Sequence, residues 1–318
     1  MGECVGYSAS MLCRFGLVLL LLAAASPVSA QTFETAGVRA LGMGGAFVGV
    51  ADDASAVWWN PAGLATGPFF SLAIEHSRFE QRRPLWFGEP PAERSSFFLS
   101  VASLPLGLSY VKTGEHYVVP GPADEAVGRE LRTHQIGATV LQSLSDAVVV
   151  GATLKYVRGI ASSGPVGSPL EDRAGNAFDA DLSVMATSGP IKAGLTIRNI
   201  FSPEFEAADG STQELHVLAR AGVSYLAAPA LTFAADVDIK GPEIGPDRRR
   251  MLALGGEYRL SRASVRAGAR FDTIGPVNAL GTVGGSYAVR NGIWVDVWAA
   301  TGKRDADRGW GLAGRFTY

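Results

Sequence analysis

Along most of this chain, apolar and polar residues alternate with a period of two. Leu231, Phe233, Ala235, Val237 and Ile239 share one face of a segment whose other face carries Thr232, Ala234, Asp236, Asp238 and Lys240. Successive side chains of an extended backbone point to opposite sides, so the pattern predicts a strand with one apolar and one polar face. Ile191, Ala193, Leu195 and Ile197 likewise oppose Lys192, Gly194, Thr196 and Arg198. Val265, Ala267, Ala269 and Phe271 oppose Arg266, Gly268, Arg270 and Asp272, and Val148, Val150, Ala152, Leu154 and Tyr156 oppose Gly151, Thr153 and Lys155. No segment keeps apolar residues at i, i+3, i+4 and i+7 for three turns, so helices are not expected to build the fold.

Strands are predicted near 69–78, 95–103, 105–112, 131–143, 146–158, 175–187 and 190–200. Further strands are predicted near 214–227, 230–240, 249–260, 263–272, 279–289, 291–301 and 309–318. That makes about fourteen, most of about ten residues, the length a tilted strand needs to cross a bilayer.

The connections alternate in length. Long ones at 79–94, 113–130, 160–174 and 202–213 take turns with short ones at Leu104-Pro105, Leu144-Ser145, Ser188-Gly189 and Ala227-Ala228-Pro229. The later long ones, 241–248, 273–278 and 303–308, are more modest. Short turns on one side and longer loops on the other are the asymmetry of outer-membrane barrels. In lipid every backbone polar group has to be paired within the protein, so such a sheet closes on itself. The expected fold is therefore all-β: a transmembrane antiparallel β-barrel of about 14 strands, with an N-terminal plug segment and both termini on the short-turn, periplasmic side.

The polar faces then line the lumen. They mix signs: Lys155, Asp179, Asp181, Lys192, Arg198, Arg220, Asp236, Asp238, Glu257, Arg259, Arg266, Arg270, Asp296 and Arg315. This favours a cross-linked charge network over a pore selective for one sign. Trp294 and Trp298 share the face of Asp296, where they are expected to pack against a plug; the alternative is that they line a route for an apolar ligand.

The two ends refine the picture. Residues 1–30 read as a signal peptide: Arg14, an apolar run from Phe15 to Ala25, a break at Ser26-Pro27, and Val28-Ser29-Ala30 before the cleavage point. Both cysteines, Cys4 and Cys13, lie inside it, which excludes disulfides and thiol chemistry from the mature chain. A formal net charge of −2 argues against a nucleic-acid partner. At the other end Trp310, Leu312, Gly314, Phe316 and Tyr318 form one face, and the chain stops on an aromatic. Phe316 and Tyr318 resemble the C-terminal signal read by the outer-membrane barrel assembly machinery, and outer-membrane lipid is the expected surrounding. Division follows at 1–30 (signal peptide), 31–68 (plug or hatch) and 69–318 (barrel).

Residues 36–67 carry the most specific motif. Leu41-Gly42-Met43-Gly44-Gly45-Ala46-Phe47, Asp52-Asp53-Ala54 and Asn60-Pro61-Ala62-Gly63-Leu64 are separated by short spacers. The small residues Gly42, Gly44 and Gly45 suit close backbone approach. Asp52, Asp53, Asn60, Pro61 and Gly63 read as turn and cap positions. A nucleotide loop is excluded, because Phe47 replaces the third glycine of G-x-G-x-x-G and no βαβ unit follows. The segment resembles the N-terminal signature of the PorV/PorQ family and, more distantly, of the FadL family, with Gly49 where alanine is commoner. The first resemblance implies a role in handling or attaching cargo of a type IX-like secretion system. The second implies transport of long-chain fatty acids or other hydrophobic small molecules. Chain length, and loops without amphipathic helices, favour the first.

No catalytic, cofactor or metal site is expected. His76, His116, His134 and His216 have no ligand spacing, and Asp236 and Asp238 share a strand face balanced by Lys240.

Overall fold

The computed structural model describes residues 32–81, 92–120, 126–241, 243–244, 247–248, 250–274, 279–302 and 308–318. The expected signal peptide lies outside them, as do the central parts of several expected loops. The first barrel strands are β1 (Phe70–Gln81), β2 (Ala92–Ser103), β3 (Leu106–Pro120), β4 (Ala126–Ser145), β5 (Val148–Pro165), β6 (Glu171–Ser188) and β7 (Ile191–Arg198). After a short hairpin of β8 (Glu204–Glu206) and β9 (Thr212–Glu214) come β10 (Leu218–Ala228) and β11 (Leu231–Lys240). A second hairpin, β12 (Glu243–Ile244) with β13 (Asp247–Arg248), precedes β14 (Met251–Arg259), β15 (Ala263–Asp272), β16 (Ala279–Arg290), β17 (Ile293–Gly302) and β18 (Arg308–Thr317).

Leaving out the two hairpins, these strands pair in chain order and close through β1 and β18 into a 14-strand antiparallel barrel. The seam is sealed by register from Ser71 opposite Thr317 to Glu80 opposite Arg308. At its end Phe70 and Tyr318 exchange backbone hydrogen bonds of 3.1 and 2.9 Å. Every strand placed by alternation is present. The outer face carries Ile74, Leu108, Ile136, Leu154, Phe178, Phe233, Leu254, Val283 and Leu312, all exposed, as a wall facing acyl chains requires. The charged residues assigned to the lumen do turn inward, most of them fully buried.

One side of the barrel is taller than expected. Residues 113–120, 126–130, 160–165 and 171–174 continue β3 to β6 as paired strands where loops were predicted. The reason is compositional: Gly, Ser and Pro in these stretches remove the apolar half of the alternation, yet their backbones extend the ladder. Above the bilayer the outer face needs no apolar residues. Loop 199–217, by contrast, folds inward. Its Phe205, Ala207 and Leu215 pack against Leu131, Val157 and Ala161 on the inner faces of β4 and β5.

Candidate functional site

The chain enters β1 only after a stretch that lies within the lumen. Residues 32–64 are almost all buried, and their apolar side chains merge with inward residues of the wall, Trp298 among them, into one cluster. Two short helices shape this segment, α1 (Val38–Gly42) and α2 (Ala56–Trp59), followed by a 3-10 turn at Pro61–Thr66. After α1 the backbone reverses at Gly44 and Gly45, with φ of 73° and 87°. Only glycine enters that left-handed region without steric cost. Leu41, Phe47 and Trp59 are at most 2% exposed; full burial of such side chains is worth roughly 1.5–3 kcal/mol each.

Close approach is the first means of attachment. A Cβ at Gly222 of β10 would stand 2.9 Å from the Gly49 nitrogen, and one at Gly49 would stand 2.8 Å from the Val223 carbonyl carbon. A Cβ at Gly194 would lie 2.6 Å from the Val48 carbonyl oxygen, and one at Gly151 would lie 2.8 Å from the Pro61 carbonyl carbon. Gly255 and Gly268, paired across β14 and β15, receive Met43 and Gly44. Gly42 meets Gly284 of β16 backbone to backbone. A line of inward glycines thus runs round much of the wall at the height of the segment. Gly49, which departs from the commoner alanine, is a member of this contact.

Polar side chains of the wall complete the grip. Glu75 Oε2 accepts hydrogen bonds from Gly37 N and Val38 N, both 2.8 Å. Asp236 Oδ2 accepts from Phe47 N and Val48 N, also 2.8 Å. Ser71 and Ser183 accept from Ala54 N and Ala62 N, while Thr282 and Ser224 donate to Gly42 O and Gly49 O. These bonds satisfy backbone groups that no helix or sheet pairs, as burial demands.

Charge concentrates at α1. The Arg39 guanidinium holds Glu257 of β14 in a two-pronged pair at 3.0 and 2.6 Å. It also pairs with Asp52, and with Asp53 at 3.0 Å. Glu257 is shared with Arg266 at 2.9 Å, and Arg315 pairs with Asp296 at 3.1 Å. Burial pushes the Asp53 carboxyl up, but Arg39 and Arg315, with a hydrogen bond from Ser55, outweigh it and hold the group below the ordinary carboxylate value. Towards the long-loop end Arg220 bridges Glu34 and Asp238, and Arg198 lies 3.3 Å from the Trp58 ring centroid. Lys155 joins Asp179 and Asp181 at 2.7 and 2.6 Å.

The singled-out residues fall as follows. Gly42, Gly44 and Gly45 lie at the contact with the wall or at the reversal beside it. Asp53 Oδ1 accepts from Ser55 N at 2.9 Å, a turn of the expected kind. Asp52 instead turns to Arg39. The Asn60 side chain donates to Val48 O and Val184 O, tying the segment to itself and to β6, and Pro61 opens the 3-10 turn. Gly63 faces Ala51, with a built Cβ 2.9 Å from its Cβ. Phe316 packs on Phe70 at 5.9 Å, and Tyr318 is 86% exposed. Trp294 lines a cavity at the short-turn mouth. His216 is buried near Glu214, His134 accepts or donates at Tyr110 on the outer face, and His76 packs on Trp310. Among the described residues no group of three or more His, Cys, Asp or Glu is arranged for a metal ion. Sequence reasoning had seen Gly151, Gly194 and Gly268 only as small residues on polar faces; their recurrence at inward positions of several strands was the available signal for the seat.

Comparison with solved structures finds the same architecture. The "CymD monoaromatic hydrocarbon channel" matches with a TM-score of 0.70 at 13% identity, over 91% of this chain and 99% of that one. A Pseudomonas aeruginosa FadL homologue matches with 0.65 at 10% identity, over 92% and 99%. The Ralstonia pickettii toluene transporter TbuX matches with 0.62 at 13% identity, over 90% and 99%. A family model described as "F plasmid transfer operon, TraF, protein" matches residues 137–238. No curated protein matches in sequence. These likenesses bear out the closed 14-strand barrel; they lend no support to the PorV/PorQ assignment or to the secretion role it implied.

Proposed function

We propose that this chain is an outer-membrane channel for hydrophobic small molecules, in which residues 32–68 form the seal. The observation that carries the reading is a closed barrel whose lumen is filled by a segment fitted backbone to backbone against wall glycines. Its architectural neighbours include proteins described as hydrocarbon channels and toluene transporters. A lumen filled by apolar side chains and paired charges does not suit an open aqueous pore, whereas a seated segment with few covalent constraints is a part that can move. The exported, outer-membrane location fits the lipid-facing wall and the short-turn and long-loop ends.

Uptake tests this directly. Cells producing the chain should take up labelled toluene or dodecanoate saturably, and deletion should remove that uptake. Equal uptake with and without the chain would sink the reading. Loss of a secreted protein cargo on deletion, with uptake unchanged, would return the secretion role instead.

A further inference from the structure

At the short-turn mouth the wall and the N-terminal segment enclose a cavity of about 350 Å³. Arg39, Glu257 and Arg266 are its buried floor, and Arg259, Arg315 and Trp294 stand round its rim. We propose that this cavity is a binding site for the carboxylate of a small organic acid, with the apolar body of the acid against Trp294. The inference stands whether or not the barrel conducts.

Charge is the first argument. Four guanidinium groups face the cavity against the two carboxylates Asp52 and Glu257. Asp53 and Asp296, which pair with Arg39 and Arg315, bring the acids level. Lys192, whose ammonium hydrogen-bonds the lining residue Thr66 at 2.9 Å, and Glu75, which holds Gly37 N and Val38 N beside Arg39, add one group of each sign behind the lining. The groups that line the cavity itself, four guanidinium groups against two carboxylates, favour an anion over a cation.

Spare donors are the second argument. The Arg259 side chain is 45% exposed, and its guanidinium stands 3.3 Å from Glu257 and 3.7 Å from Asp52, so most of its five N–H groups are uncommitted. Arg266 is 1% exposed, donates to Glu257 and Ser286, and has no hydrogen-bond acceptor for Nη1 among the described residues; Asp296 is 3.7 Å from it. A buried guanidinium nitrogen without an acceptor is costly, and the planar fork of arginine matches a carboxylate. Size is the third argument. This volume is at the small end of ligand pockets and suits an acid of about ten heavy atoms.

The test uses the full chain in nanodiscs of zwitterionic lipid, with 4-fluorobenzoate followed by 19F NMR and 4-fluorobenzyl alcohol as the neutral match. The benzoate should bind saturably and the alcohol should not. Arg259→Gln should weaken binding about tenfold, the loss of one charge-assisted contact. Ser264→Leu, which fills the cavity without removing a charge, should abolish it. Since Arg259 is half-exposed on the rim, gel migration before and after heating should stay as in the parent chain. Equal binding of acid and alcohol, or an unchanged affinity in both variants, would overturn the proposal.

Discussion

The N-terminal segment is held differently at its two ends. Around α1 the grip is ionic: Arg39 spans from Asp52 and Asp53 of its own segment to Glu257 of the wall. Around the 3-10 turn no ion pair takes part, and the grip is made by Ala62 on Ser183, Asn60 on Val184, Lys192 on the Thr66 hydroxyl, and backbone against Gly151 and Gly194. The ionic end is specific but brittle, because removing one partner leaves buried charges unpaired. The neutral end tolerates loss of any one bond but not added volume. A segment built this way releases more readily at α1 than at the 3-10 turn.

Breaking the ionic end should give the largest effect. Arg39→Gln takes one partner from each of three carboxylates, Asp52, Asp53 and Glu257, and loss of a partner from a buried ion pair costs about 3–5 kcal/mol. The mature chain is expected to lack cysteine, so Val57→Cys, buried at 3% exposure, reports on release. Its maleimide labelling should accelerate by roughly two to three orders of magnitude in the Arg39→Gln background, with the barrel still heat-modifiable. Labelling at the parent rate would show that the ionic end contributes little.

Adding volume at the neutral end comes next. Gly151→Val puts methyl groups where Pro61 and Ala62 already touch the strand. Overpacking of this kind costs about 1–3 kcal/mol, so labelling at Val57→Cys should rise by roughly tenfold or more. The matching change at Gly281, where a Cβ would meet only Thr301 O at an ordinary 3.9 Å, should leave labelling unchanged. If both glycines behaved alike, the fitted seat would not be what holds this end.

Much of the barrel was legible because a period of two is a local signal. Leu231 to Lys240 declares both its faces within ten residues, and loop parity needs only the order of such segments. The tall extensions of β3 to β6 were not legible, since stretches such as 160–165 lack the apolar half of the pattern. The candidate site was legible by halves. Small residues at Gly42 and Gly44 foretold close contact, yet their partners, Gly284 and Gly268, are set by how a whole barrel closes. Arg39 and Glu257 lie 218 residues apart, and no spacing rule connects them. Asp52 looked like a turn residue beside Asp53 because the two share a chemistry; the folded lumen brings Arg39 to both, and only Asp53 also makes the turn, through Ser55.

Acid should produce the smallest effect, again at the ionic end. The Asp53 carboxyl is held below its ordinary value of 3.8 by Arg39 and Arg315 against the opposing effect of burial. A group depressed in the folded state contributes stability above its unfolded value, and that contribution disappears as pH falls through the lower folded value. Glu34, also depressed, through Arg220 and Arg270, has the same sign. Conductance across planar bilayers should therefore rise as pH falls below about pH 4. Asp53→Asn should raise the level at neutral pH and shrink the acid step, because the charge that protonation would remove is already gone. The corresponding neutral-end variant, Asn60→Ala, should raise conductance by a similar factor at every pH. An acid step untouched by Asp53→Asn would place the acid-sensitive contact somewhere other than the Asp53 pair at α1.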